Sequence, residues 1–222
     1  CSEMFVNGFL KLIEAGIIRR EVYGDTVLQQ MLNDGRLASE VVTPETVRAL
    51  LAAGRIGTPL SEADVAFLKK FGVLRTGVTL EGRDLVLDGE RCSCDLSDKE
   101  AFDKLCATML GARLIGGIYM TGGFFLGPND FYERLRSMPP QELAKIDMTR
   151  IDFINQLYGQ GDLKRAQRRK ARFMNTTMIA TLLGAVASDA LESGQVVSGV
   201  GGQYNFVAMA HALPDARLLM ML

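Results

Sequence analysis

The sequence predicts an α/β fold that carries a small, mostly helical subdomain as an insertion. Glycine-rich apolar stretches with the pattern of strands alternate with helical patterns, and the segment VVSGVGGQYNF (196–206) reads as strand, glycine loop and helix in succession. Between residues 28 and 110 the pattern changes to short amphipathic helices and a hairpin. We therefore expect residues 1–27 and 111–222 to form the α/β domain, with 28–110 inserted into it.

The elements of the first half follow from periodicity and turn residues. Apolar residues recur at helical spacing from Phe5 to Ile18, and Gly16 stands where a helix would end. Within the insertion, the segments TPE (43–45) and SEAD (61–64) are typical helix starts, and each precedes an amphipathic run. Residues 77–90 alternate around Glu-Gly and Asp-Gly turns, which predicts a small hairpin.

After the insertion, strands and helices are predicted to alternate. The apolar, glycine-rich stretch Ala112–Phe125 is interpreted as strands and a turn. Asn129 or Asp130 is expected to cap a helix from Phe131 to Met138. The segment 171–189, with its β-branched and small residues, predicts a strand followed by a turn.

The last predicted elements surround the glycine loop. A strand at Gln195–Ser198 is expected to enter the loop and a helix at Phe206–Ala212 to leave it. The terminal run RLLMML (217–222) has the pattern of a buried strand, which we expect to lie beside the strand that precedes the loop, because sequential strands are usually neighbours. Since the chain starts at Cys1 and stops in this strand, we expect a fragment truncated at both ends.

Composition limits the classes of function. The 222 residues include 25 basic and 26 acidic side chains, and this balance provides no general attraction for nucleic acid. The basic run Lys164–Arg172 predicts a solvated helix face, with phosphate contact as the alternative. No apolar run has the roughly 20 residues needed to span a bilayer, so we expect a cytoplasmic protein. Four cysteines predict reduced thiols, and with His211 as the only histidine we expect no metal site.

The glycine loop is the strongest candidate for a site. Residues Ser198–Gln203 lie at a predicted strand-to-helix turn, where unpaired backbone N–H groups can converge on an anion or a developing oxyanion. A tight turn packed against a neighbouring helix is the alternative interpretation. The loop is not a dinucleotide fingerprint, because Tyr204 stands where the third glycine would be.

Three separated motifs resemble the acetyl-CoA hydrolase and CoA-transferase family, which includes 4-hydroxybutyrate CoA-transferase and succinyl-CoA:acetate CoA-transferases. The first is CSEM (1–4) with the downstream NG and LIEAG segments, the second is FMNT (173–176), and the third is SGVGGQYNF (198–206). Their order is similar to that of the carboxy-terminal half of these enzymes. Cys1, Asn7 and Asn205 depart from the usual residues of the family, which leaves the substrate class open.

The resemblance implies a fold of the NagB/RpiA/CoA-transferase type, an open sheet flanked by helices, and roles for individual residues. Glu3 matches the family's nucleophile, while a carboxylate that only favours a helix N-terminus is the alternative for this position. Asn175 would orient the carboxylate or substrate, and the amides of Gly201 and Gly202 would stabilise an oxyanion. The family's remaining loop positions imply CoA contacts at Gly199, Val200, Gln203 and Asn205.

The resemblance also implies the reaction. A CoA-transferase would move CoA from an acyl-CoA to a small carboxylic acid through a glutamyl-CoA thioester, with CoA as substrate and no bound cofactor. An acyl-CoA hydrolase and a non-catalytic CoA-binding module are the alternatives. We expect neither nucleic acid nor membrane as a partner, and a homodimer of the full-length protein.

Overall fold

The computed structural model describes residues 1–222 and divides the chain into two compact units. One unit comprises Cys1–Arg20 with Ile118–Leu222, and the other comprises Glu21–Gly117. Each unit has helices and strands of its own, so the chain is of mixed α/β type.

Ten helices are present. They are α1 (Asn7–Glu14), α2 (Thr26–Asn33), α3 (Pro44–Ala52), α4 (Glu62–Lys70), α5 (Lys99–Thr108), α6 (Asn129–Ser137), α7 (Pro140–Leu143), α8 (Ile151–Asn155), α9 (Gly161–Gln167) and α10 (Gln203–Ala212). None of these helices has the length and apolar character required to cross a membrane.

Ten strands accompany the helices. They are β1 (Ser2–Phe5), β2 (Thr79–Glu81), β3 (Asp84–Leu87), β4 (Glu90–Ser93), β5 (Met120–Phe125), β6 (Ile146–Met148), β7 (Arg172–Thr176), β8 (Ile179–Ala180), β9 (Val186–Ala187) and β10 (Arg217–Met221). They form four small sheets in the orders β1-β5-β6, β10-β7, β2-β3-β4 and β8-β9.

The sheet β1-β5-β6 is parallel and carries the amino terminus of the chain. Ser2 pairs with Gly122 and Met4 with Phe124, and the buried Phe5 ring packs against Phe125. The helix predicted at Phe5–Ile18 therefore begins only at Asn7, because the residues before it satisfy their backbone groups in the sheet.

The glycines of β5 are required for packing. A Cβ on Gly122 would lie 3.1 Å from Met148 Sδ, and one on Gly123 would lie 2.8 Å from the backbone oxygen of Glu3. Gly123 also contacts Ile151 of α8, which packs against this sheet. The two glycines thus allow α8 and β1 to approach β5 closely.

The second parallel pair, β7 and β10, packs against α10. Phe173 of β7 stacks on Phe206 of α10, and Met209 and Leu213 complete a small buried cluster. The terminal run is a strand, as predicted, but it is not buried, since Leu219, Met221 and Leu222 are 45%, 46% and 83% exposed. Its partner is β7 rather than a strand before the glycine loop. Residues 195–198 form no strand; only an isolated bridge joins Val196 to Ala190, so the strand predicted there is wrong.

The unit 21–117 has its own core. Helices α2 to α5 and the antiparallel β2-β3-β4 sheet bury Leu28, Leu50, Leu68 and Leu85. The predicted helix starts are confirmed at α3 and α4, both of which have capping boxes. The predicted hairpin is also present and gains a third strand, β4.

Two local predictions need correction, one fully and one in part. Helix α6 begins at Asn129 itself, with Pro128 at its N-cap and no capping side chain, so neither Asn129 nor Asp130 has the predicted role. The basic run around α9 is solvated only in part: Arg165, Arg169, Lys170 and Arg172 are exposed, but Lys164 and Arg168 are 2% and 8% exposed. Their spacing of four residues places both on one helix face, and that face is buried.

Candidate active site

Glu3 lies in β1 with a half-buried side chain, one residue before Met4 and two before the core residue Phe5. Its Oε1 accepts a hydrogen bond from Nδ2 of Asn155, the last residue of α8. The second carboxylate oxygen, Oε2, has no partner within the chain. One oxygen is thus held in place while the other is available for chemistry.

Gly202, directly before α10, lies against the same carboxylate. A Cβ added to Gly202 would overlap Glu3 Oε1 and would lie 3.0 Å from Glu3 Cδ and 3.1 Å from the Phe206 ring. The backbone of Gly202 has φ −81° and ψ 6°, a conformation that other residues also adopt. Glycine is therefore needed here for close approach to Glu3 and not for an unusual dihedral angle.

The other two glycines of the loop have a different environment. Gly199 and Gly201 are exposed, have no positive φ, and have open space where a Cβ would be. The alternative of a tight packed turn therefore fails at both positions. Gly202 alone among these three glycines is buried and contacts the Glu3 carboxylate.

The amino terminus of α10, which begins directly after Gly202, has unbonded backbone donors. No acceptor in the chain is bonded to the N–H groups of Gly201, Gly202, Gln203 or Tyr204, and no side chain caps the helix. These N–H groups carry the positive end of the helix dipole. An anion that forms next to Glu3 would find donors without displacing an existing bond.

Asn155 was not identified from the sequence. It is 6% exposed, and its Oδ1 has no hydrogen-bond partner although it is buried. A buried, half-satisfied amide is unusual in native proteins and marks a position where a further donor is missing. The sequence signal is only a polar residue ending the apolar segment IDFIN (151–155), which is too weak to indicate a site.

Asn175 and Gln203, both predicted from the resemblance, lie together but serve local structure. Asn175 Nδ2 donates to Thr176 O at 2.9 Å and to Gln203 Oε1 at 3.4 Å. Gln203 Oε1 also accepts from the Ser188 hydroxyl, and its Nε2 donates to Val186 O at 3.3 Å. These bonds tie α10 to β7 and to the β8-β9 hairpin, and none of them reaches Glu3.

The remaining predicted contacts lie on either side of the loop. Val200 is 86% exposed and touches no part of the site. Asn205 is half-buried and, with Asn155, Tyr204 and Met209, lines a cavity of about 120 Å³. The structure thus brings Glu3, Gly202 and Asn155 together and leaves Gly199 and Val200 in solvent.

This arrangement combines an anchored carboxylate with an adjacent set of unbonded N–H donors. A carboxylate oxygen can attack an activated acyl carbon, and backbone donors can stabilise the oxyanion that results. No group of three or more His, Cys, Asp or Glu side chains is placed to hold a metal ion, and all four cysteines are free thiols.

Comparison with known proteins gives one match. Residues 127–222 match the family model described as acetyl-CoA hydrolase/transferase C-terminal domain. No curated protein and no solved structure matches the chain. The matched segment contains Asn155 and the glycine loop, whereas Glu3 precedes it by more than a hundred residues.

Proposed function

Because residues 127–222 belong to the acetyl-CoA hydrolase/transferase family, a family of enzymes, we propose that this protein is a CoA-transferase whose nucleophile is Glu3. The observation that carries the proposal is the contact of one carboxylate with both Asn155 and Gly202. Two of these three residues lie in the family segment, and the third reaches them only through the fold. We further propose that the α/β unit has the NagB/RpiA/CoA-transferase type of fold.

The proposed reaction begins with attack of Glu3 Oε2 on the thioester carbonyl of an acyl-CoA. The C–S bond breaks, CoA leaves as its thiolate, and an acyl-glutamyl anhydride remains. The thiolate then attacks the glutamyl carbonyl, which releases the carboxylate of the first acid and forms glutamyl-CoA thioester. An acceptor carboxylate attacks the carbonyl of that thioester, so the C–S bond breaks, CoA thiolate leaves and a second acyl-glutamyl anhydride forms. The thiolate then attacks the acyl carbonyl of this anhydride, which gives the new acyl-CoA and releases the Glu3 carboxylate.

Each step passes through a tetrahedral intermediate with a negatively charged oxygen. The N–H groups of Gly201 and Gly202 are the proposed donors to it, since both are unbonded and Gly202 lies against the Glu3 carboxylate. Removing one donor of such an oxyanion site typically costs about 10²- to 10³-fold in rate. The Asn155 amide holds Oε1, so that Oε2 is directed to the acyl carbon.

An acyl-CoA hydrolase is the second candidate for this site. It uses the same nucleophile and the same anhydride, which water would then attack in place of CoA thiolate. The half-buried position of Glu3 favours transfer, because limited access of water protects an anhydride from hydrolysis. Comparing CoA transfer to acetate with release of free CoA in the absence of acetate separates the two activities.

The decisive experiment is detection of the covalent intermediate. Incubation with acetyl-CoA should place CoA on Glu3 as a thioester, which is detected as an increase in protein mass. Hydroxylamine should convert this thioester to a hydroxamate, and borohydride should reduce it. Glu3→Gln removes the anionic nucleophile at nearly constant volume, so it should abolish the adduct while CoA binding persists. Glu14→Gln is the matched control, because Glu14 is exposed and paired with Arg134. An unmodified Glu3 peptide in an active preparation would refute the assignment.

A further inference from the structure

We propose that Arg168 is a positioning residue that holds Asn155 and α10 in place around Glu3, so that one buried guanidinium sets the geometry of the nucleophile. The inference rests on the proposed function for its catalytic meaning. The contacts that support it are independent of any family property.

Arg168 follows the last residue of α9, and its side chain bonds to the chain on both sides of Asn155. Its Nη2 donates to Phe153 O at 2.9 Å, and its Nη1 lies 3.4 Å from Gln156 O. These carbonyls stand two residues before and one residue after Asn155. A side chain that bonds both flanks of a residue restricts the backbone between them, and therefore the direction of the Asn155 amide.

The same guanidinium also contacts the helix that starts at the glycine loop. Arg168 Nη1 lies 2.7 Å from Met209 Sδ, and Met209 is a buried residue of α10. Gly202, which touches the Glu3 carboxylate, directly precedes that helix. Arg168 thus contacts α8 and α10, which carry Asn155 and follow Gly202 beside the Glu3 carboxylate, although it has no bond to Glu3 itself.

The charge environment of Arg168 is unusual for a residue with only a packing role. Arg168 forms no ion pair with a carboxylate, and burial lowers the pKa of its guanidinium to about 10. Lys164, one turn earlier, is also buried and forms no ion pair. Its Nζ donates a hydrogen bond to Tyr158 O at 2.9 Å and lies 4.6 Å from the centroid of the Phe153 ring. Burial and the charge of Arg168 lower the pKa of Lys164, and the negative charge of Asp152 acts in the opposite direction.

The acceptors explain how two buried cations are tolerated. Phe153 O and Gln156 O lie at the carboxy-terminal end of α8, where carbonyl groups lack helical partners and the helix dipole is negative. Apolar residues could fill this volume without the desolvation of a charge. A guanidinium is required only if its directional bonds matter, and those bonds converge on the segment that carries Asn155.

The first test measures geometry without turnover. In NMR spectra of the ¹⁵N-labelled whole protein, the side-chain NH₂ signals of Asn155 are assigned by their loss in Asn155→Ala. The proton that is bonded to Glu3 should have a shifted resonance and slow exchange with solvent. Arg168→Met should remove that protection, and Arg172→Met should leave it. Arg172 is the matched control because its Nη1 also donates to main-chain carbonyls, those of Lys170, Ala171 and Asp215. Unchanged Asn155 signals in Arg168→Met would overturn the inference.

The second test uses the rate of Glu3 adduct formation in a double-mutant cycle. Arg168→Met should slow that rate by about 10- to 100-fold, because misplacement near 1 Å can cost about 10²-fold. In an Asn155→Ala background it should have little further effect on the rate, because the two residues act on the same carboxylate. Full additivity in the rate would mean that Arg168 acts only on stability and would also overturn the inference.

Failure of this inference is distinguishable from failure of the proposed function. If wild-type protein forms no adduct, the proposed function fails, and the Asn155 signals still decide whether Arg168 positions that side chain. If Arg168→Met does not fold, Arg168→Lys supplies the test, since lysine retains the charge but cannot reach both flanking carbonyls with a planar fork. It should show the same loss of Asn155 protection.

Discussion

Gly202 provides the most direct test of the geometry around Glu3. Alanine at this position keeps the backbone N–H and fits the observed φ of −81°, so neither an oxyanion donor nor a special dihedral angle is lost. The new Cβ would lie 3.0 Å from Glu3 Cδ, whereas ordinary contacts begin at 3.4 Å, and it would overlap Oε1. The carboxylate must therefore retreat by at least about 0.4 Å.

The expected consequence is a loss of rate without a comparable loss of stability. Because a 1 Å misplacement of a reacting group can cost about 10²-fold, we expect Gly202→Ala to slow adduct formation by about 10- to 100-fold. The matched control is Gly201→Ala, where a Cβ meets nothing within 4 Å. The assay is the single-turnover rate of CoA attachment to Glu3, with Tm measured for both variants.

Two results would refute this reasoning. Equal rates for Gly201→Ala and Gly202→Ala would show that contact with Glu3 has no catalytic importance. A fall in Tm that accounts for the fall in rate would show that Gly202 serves packing alone.

Three further predictions concern other parts of the chain. Asn155→Ala should slow adduct formation by about 10- to 100-fold in single-turnover assays with acetyl-CoA, because Oε1 loses its only donor; an unchanged rate would remove Asn155 from the site. A thiol reagent should modify the exposed Cys1 before Cys92, since burial raises the pKa of the Cys92 thiol and reduces its thiolate fraction at any given pH; equal labelling rates in the folded protein would contradict this. Ser61→Ala should lower the free energy of unfolding by about 1 kcal/mol at pH 7, because an N-cap is lost.

The loss caused by Ser61→Ala should shrink in acid. Burial alone would raise the pKa of Asp64, but hydrogen bonds from the Ser61 backbone and hydroxyl and from Gly57 N–H hold it below its usual value. A lowered carboxyl pKa adds stability above the unfolded pKa, near 4, and that contribution is lost as the pH falls through the folded value. Denaturant titrations at pH 7 and pH 3 measure the difference, and an unchanged penalty at pH 3 would contradict the sign.

Local elements were predictable where the signal is short-range. The helix starts at TPE (43–45) and SEAD (61–64), the hairpin at 77–90 and the helix after the glycine loop all follow from turn residues and periodicity, which act within a few residues. The errors arose where distant pairing competes with local preference. Ser2–Phe5 became a strand because β5 supplies hydrogen bonds from more than a hundred residues away, and Gln195–Ser198 found no such partner.

The candidate site divides in the same way. The resemblance to the family suggested Glu3 as the nucleophile, and the glycine loop was predicted as an anion site because a glycine-rich helix start has unpaired N–H groups. The resemblance also suggested roles for Asn175 and Gln203, whose hydrogen bonds in the structure are to each other and to nearby residues. A motif records residue type, whereas the direction of a side chain depends on packing.

By itself, the sequence determined the mixed α/β class and those local elements that depend on caps, turns and periodicity. Only the tertiary structure decided that the Glu3 carboxylate meets Gly202 and the Asn155 amide, and that Arg168 lies buried against the segment around Asn155. The physical reason is the separation along the sequence of the residues that interact. Capping, turns and periodicity are encoded between residues a few positions apart, but contacts among residues 3, 155, 168 and 202 exist only after parallel strands and helices bury their apolar faces together.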